Sequence, residues 1–138
     1  WVAASNGIPR KRVQQVLEEV GLAADANRRV GTYSLGMGQR LGLATALLGK
    51  PERLVLDEPV NGLDPQGVRW IRRLLRAHAD AGGTVLLSSH LIGELAEIVD
   101  DIVIINGGRI KAWGGVVDVM SGHPSLEEAF FAHVEARA

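Results

Sequence analysis

The chain has 138 residues and 46% hydrophobic content, enough for one domain with a real core, and its formal net charge of -1 offers no basic field for nucleic acid. It contains no cysteine, so neither a disulfide nor a thiolate metal site is available. No apolar run nears the roughly 20 residues of a membrane-spanning helix, so a membrane would matter here only through a partner.

The opening "WVAASNGIP" reads as a polar loop and not as a natural start, so the sequence reads as part of a longer protein. "PRKRVQQVLEEVGL" then sets Val13, Val16, Leu17 and Val20 at i, i+3, i+4 and i+7 between Pro9 and Gly21, which predicts an amphipathic helix. "AADANRRVGTY" is a loop by its Asn, Gly and charges. Ser34 stands as the N-cap of a second helix running to about Leu48, which Pro51 closes. "RLVLDEP" is a short, continuously apolar run ending in carboxylates, the pattern of a buried parallel strand. After the loop "VNGLDPQG", a third helix starts at Pro65, carries Ile71, Leu74 and Leu75 on one face and stops at Gly82-Gly83. "TVLLSSH" is a second strand, making a βαβ unit with parallel strands, and "LIGELAEIVD" is another amphipathic helix. "DIVIINGGRIKAW" predicts a hairpin around Asn106-Gly107-Gly108. Ser125 and Glu128 form a capping-box pattern for a last helix with Leu126, Phe130 and Val134 at helical spacing.

Open α/β sheets bind ligands beyond the carboxyl ends of their strands, where Asp57, Glu58 and His90 fall. A strand-end Asp suits Mg²⁺, which takes one or two carboxylates plus phosphate oxygens and water. A neighbouring carboxylate can orient or deprotonate water, and a His can stabilise charge on a phosphoryl group, so the three together describe a nucleoside triphosphatase. Each also has a plainer reading: an apolar run ending in Asp-Glu is often a strand turning into solvent, and a His after Ser-Ser is often a helix-start residue. His78 reads as a surface residue, and His123 and His133 lack partners at ligand spacing. A metal hydrolase built on Asp57, His90 and Glu94 lacks the clustered ligands such sites need.

Taken in order, "YSLGMGQRLGLATALL", "LVLDEP", "NGLDP" and "LLSSH" resemble the second half of an ATP-binding cassette (ABC) ATPase domain over about Ile8 to Ala112. The resemblance implies an α/β fold, a partial P-loop NTPase-like domain: the end of a helical subdomain with the signature motif at 1-50, the Walker B, D-loop and H-loop core with its hairpin at 51-115, and a helical tail at 116-138. It implies Asp57 as the Mg²⁺-associated Asp, Glu58 as general base and His90 as the switch His at the γ-phosphate. Ser34, Gly36 and Gln39 would bind ATP from the signature motif, with Asp64 at a dimer interface. The motif departs from LSGGQ at Tyr33, Leu35 and Met37, and this variant, like the tail "SLEEAFF", is similar to ATPase subunits of bacterial drug and antibiotic exporters.

A P-loop, G-x-x-x-x-G-K-[ST], is not present, and Gly42 to Gly49-Lys50 has the wrong spacing. The Q-loop is likewise missing. The expectation is therefore half of an ATP site, in which Ser34 and Gly36 face a partner's P-loop in a head-to-tail dimer with two ATP and Mg²⁺. A separate membrane permease would hold that dimer at the cytoplasmic face of the membrane. Alone, the chain is expected to be inactive and, with "TVLLS" left as an unpaired edge, less stable than a complete domain. Two other classes stay open: a soluble, non-transport ABC ATPase, and a catalytically dead fragment.

Overall fold

The computed structural model describes residues 1-135, without the side chains of residues 94 and 95. The chain divides into two compact units, Trp1–Ser88 and Ser89–Ala138.

In the first unit, helix α1 (Val2–Ser5) is a single turn, followed by α2 (Arg10–Glu19) and α3 (Leu35–Leu47). The polar opening expected as loop is thus partly helical, because Ser5 Oγ and Asn6 Nδ2 both donate to Val2 O while Ala3 is buried. α2 turns Val16 inward and is followed by Val20 and Leu22, all at 1% exposure or less, against Leu43, Ala44 and Leu47 of α3. Arg12 joins the two helices: it donates to Leu47 O at 2.8 Å and Leu48 O at 3.3 Å and pairs with Glu19 at 2.8 Å. Those carbonyls are among the four that a helix end leaves without an internal partner. Two 3₁₀ turns, Ala23–Asp25 and Val30–Thr32, lead into α3, and Tyr33 OH donates to Asp25 O at 2.9 Å.

Strands β1 (Arg53–Asp57) and β2 (Thr84–Ser88) are parallel, in register from Arg53↔Thr84 to Asp57↔Ser88, and α4 (Pro65–Asp80) connects them. Asp64 caps α4 by accepting from Gly67 N–H at 2.7 Å, with Pro65 in the first turn. Its other end closes in the two-bond glycine stop, Gly82 N–H to Ala79 O and Gly83 N–H to His78 O. The His78 ring lies directly over the Gly83 backbone with Nε2 buried, so it is a packing residue at the helix end and not the surface residue expected. Ile71 and Leu75 of α4 meet Leu54, with Leu56, Val85 and Leu87 partly buried beside them. The register partners Val55 and Leu86 take the opposite face and are 76% and 63% exposed. Continuous apolarity suggested two covered faces; among the described residues only one is covered.

In the second unit, α5 (Ile92–Leu95) is one turn and not the longer helix expected through residue 100. Gly93 weakens that turn, and the β-branched pair Ile98 and Val99 leads toward strand β3 (Asp101–Asn106). β3 pairs antiparallel with β4 (Arg109–Gly115) through Gly107 and Gly108, whose φ of 58 and 72 suit a two-residue hairpin turn. α6 (Val116–Val119) and α7 (Leu126–Glu135) follow, and Ser125 Oγ accepts from Glu128 N–H at 3.2 Å, as the capping pattern predicts. Ile104, Val119, Leu126 and Ala129 are buried where these elements meet. His123 and His133, expected to lack partners at ligand spacing, have ring centroids 6.2 Å apart, because α7 returns beside the 120–124 turn. Among the described residues no group of three or more His, Cys, Asp or Glu could hold a metal ion, and the Glu94 side chain of the metal-hydrolase reading lies outside the description.

Candidate functional site

Asp57 is the last residue of β1 and Ser88 the last of β2, directly across the parallel ladder. Register partners share a face of the sheet, which brings these two side chains together. Ser88 Oγ donates to Asp57 Oδ1 and accepts from Glu58 N–H at 3.0 Å. Glu58 leaves the strand with φ 46, a left-handed conformation uncommon for a residue with a side chain. The chain then makes two tight turns, Asn61 N–H to Glu58 O at 3.0 Å and Leu63 N–H to Val60 O at 3.1 Å, before Asp64 opens α4. Ser88 was not singled out from sequence; its signal was its place two residues before His90 and opposite Asp57 once the strands are aligned.

The start of α3 lies on this loop. Ser34 is its N-cap, accepting from Met37 N–H at 3.2 Å, which leaves the Leu35 and Gly36 amides as first-turn donors outside the cap. A helix of 13 residues presents a partial positive charge at that end. Gln39 Nε2 donates to Asn61 O at 3.2 Å, and Gly36 packs near Leu63 and Gly62 O. The Leu35 side chain covers Gly62, whose φ is +74. An added Cβ on Gly62 would sit 2.7 Å from Leu35 Cγ, in a backbone conformation that disfavours any side chain. Gly62→Ala is therefore expected to push Leu35 aside and lower the stability of the chain by about 1–2 kcal/mol, read as a shift in the urea midpoint. Deeper in the same unit, Arg40 of α3 donates to Val20 O at 3.0 Å and lies 4.2 Å from the centroid of the Trp70 ring on α4. That contact adds about 0.5–1 kcal/mol at a part-exposed position.

Five of the expected residues, Ser34, Gly36, Gln39, Asp57 and Glu58, therefore belong to the first unit together with Asp64, the N-cap of α4. His90 belongs to the second unit, in the exposed bend before α5, where Leu91 N–H donates to Ser89 Oγ at 3.1 Å. A separate cavity of about 650 Å³ lies at the amino end of β1, lined by Arg12, Glu18, Glu19, Lys50 and His78. Arg12 is already bonded to α3 and Glu19, so the cavity has no uncommitted guanidinium to offer.

Residues 3–61 match the ABC transporter family. The chain is 42% identical over 133 residues to a bacitracin transport ATP-binding protein of Bacillus licheniformis, covering 95% of this chain and 39% of that protein. It is 37% identical over 124 residues to a lantibiotic transport ATP-binding protein of Streptococcus pyogenes, covering 90% of this chain and 52% of that one. A solved ATP-binding subunit of an ABC transporter superposes with a TM-score of 0.79 at 27% identity over 96% of this chain and 58% of its own. The chain thus spans about half or less of the curated relatives it matches. The matched stretches contain the capped start of α3, the strand-end carboxylates and the loop between them, and the chain belongs to the ABC transporter ATPase family as part of an α/β, P-loop NTPase-like domain.

Proposed function

We propose that the chain supplies half of each ATP site in the ATPase subunit of a bacterial exporter of the drug or antibiotic type. The observation that carries this reading is the Asp57–Glu58 pair at the carboxyl end of a parallel strand, tied to the loop on which a serine-capped helix start rests. The donor set suits magnesium nucleotide. Asp57 is exposed and has one oxygen bonded to Ser88, leaving the other for a water of a Mg²⁺ shell. The open amides of Leu35 and Gly36 suit a phosphate. Bound Mg²⁺ would neutralise charge on the nucleotide phosphates. Within the chain, Glu58 would orient and deprotonate the attacking water, His90 would contact the γ-phosphate, and Ser34, Gly36 and Gln39 would meet the nucleotide held by a second subunit. Asp64 would lie where the two subunits join.

The relatives' names, bacitracin and lantibiotic transport, support the exporter branch. No helix among the described residues is long and apolar enough to cross a membrane, in keeping with a separate permease and a peripheral place at the cytoplasmic face. The chain by itself would not turn over ATP. The direct test joins residues 1–138 to the P-loop half of a family member and measures phosphate release. The joined cassette should hydrolyse ATP in a Mg²⁺-dependent way, and a correctly folded cassette that binds ATP without hydrolysing it would overturn the catalytic reading.

A further inference from the structure

Ser88 Oγ touches both the Asp57 carboxylate and the Glu58 backbone amide, yet neither the family motifs nor the sequence pattern assigns it a task. A serine hydroxyl has one proton to donate and two lone pairs to accept with. Here the proton goes to Asp57 Oδ1 and one lone pair takes the Glu58 N–H at 3.0 Å. The donated bond ties one oxygen of the Asp57 carboxylate to β2 and so settles which oxygen faces outward. The accepted bond reaches the backbone of Glu58, whose φ of 46 needs outside support to persist. One hydroxyl therefore holds a side chain of β1 and the first residue past its end.

We propose that Ser88 is a positioning residue that locks the Asp57 carboxylate and the Glu58 backbone into one geometry at the carboxyl end of the β1–β2 sheet. Its consequence for turnover rests on the ATPase reading above; its geometric content does not. Alanine removes both bonds at once. Threonine keeps the hydroxyl, and its branched side chain is at home in a strand.

The experiment follows backbone amide exchange in the 138-residue chain by NMR, comparing Ser88→Ala and Ser88→Thr with the unaltered protein. The Glu58 amide should exchange about tenfold faster or more in Ser88→Ala and return close to the original rate in Ser88→Thr, with ladder amides such as Leu54 little changed. Unchanged Glu58 exchange in Ser88→Ala, or equally fast exchange in Ser88→Thr, would overturn the proposal. In the joined cassette, Ser88→Ala should lower kcat about tenfold with KM for ATP within about twofold, and Ser88→Thr should restore kcat. A rise in KM at unchanged kcat would contradict positioning. An unaltered cassette without hydrolysis would instead overturn the ATPase reading, and the exchange rates would then decide the role of Ser88 alone.

Discussion

Glu58→Gln in the joined cassette is expected to cut steady-state ATP hydrolysis by about a hundredfold to ten-thousandfold while leaving nucleotide affinity within a few-fold. The amide keeps the size and one acceptor of the carboxylate but cannot take a proton from water. The left-handed turn at residue 58 is held by backbone groups that the substitution keeps, its N–H bonded to Ser88 and its carbonyl accepting from Asn61. The substitution therefore separates chemistry from architecture. Phosphate release and a fluorescent-nucleotide titration measure the two quantities, and hydrolysis at the original rate would remove Glu58 from its assigned role.

Leu22→Ala should destabilise the chain by about 2–5 kcal/mol, the range for truncating a fully buried leucine. Leu22 is 1% exposed, follows the end of α2 and packs in the cluster that also holds Val16, Val20, Leu43 and Leu47. Domain stabilities are typically only about 5–15 kcal/mol, so the loss is a large share of the total. Urea unfolding followed by circular dichroism gives the value. Val55→Thr is the matched control: Val55 is 76% exposed, and its replacement should change stability by less than about 0.5 kcal/mol. A loss at Val55 as large as that at Leu22 would mean that the Val55 face of β1 is covered and not exposed.

Much of this architecture was legible in the residues because local chemistry and tertiary packing agree. The i, i+3, i+4 and i+7 apolar spacing marked α2, the Ser34 cap marked α3, Pro65 marked the start of α4, and the double glycine marked the hairpin turn. The misreadings have identifiable causes. A one-turn helix such as α1 depends on two side-chain bonds to a single carbonyl, which no periodicity reveals. α5 stops early because an apolar pattern does not outweigh Gly93 and the β-branched residues before β3. The seating of Leu35 on Gly62 and of Arg40 on Trp70 joins residues about 30 apart and becomes visible only when the helices are placed. The same holds for Ser88, whose importance lies in register.

The departure of the signature stretch from its commonest form also gains a physical account. Leu35, where the usual motif has glycine, rests its side chain over the bare backbone of Gly62, so a bulky residue in one loop is matched by an absent one in the other. Tyr33, standing for leucine, reaches back to the Ala23–Asp25 3₁₀ turn through its hydroxyl. The variant stretch is thus fitted to its surroundings at both positions.

The left-handed backbone at Glu58 carries an engineering cost. A glycine or asparagine would adopt that conformation with less strain, so a screen that rewards heat resistance alone would tend to replace Glu58. The hardier protein it returned would have traded the proposed proton acceptor for an easier turn. Efforts to thermostabilise this chain should therefore hold position 58 fixed and look for gains elsewhere, beginning with the exposed pair Val55 and Leu86.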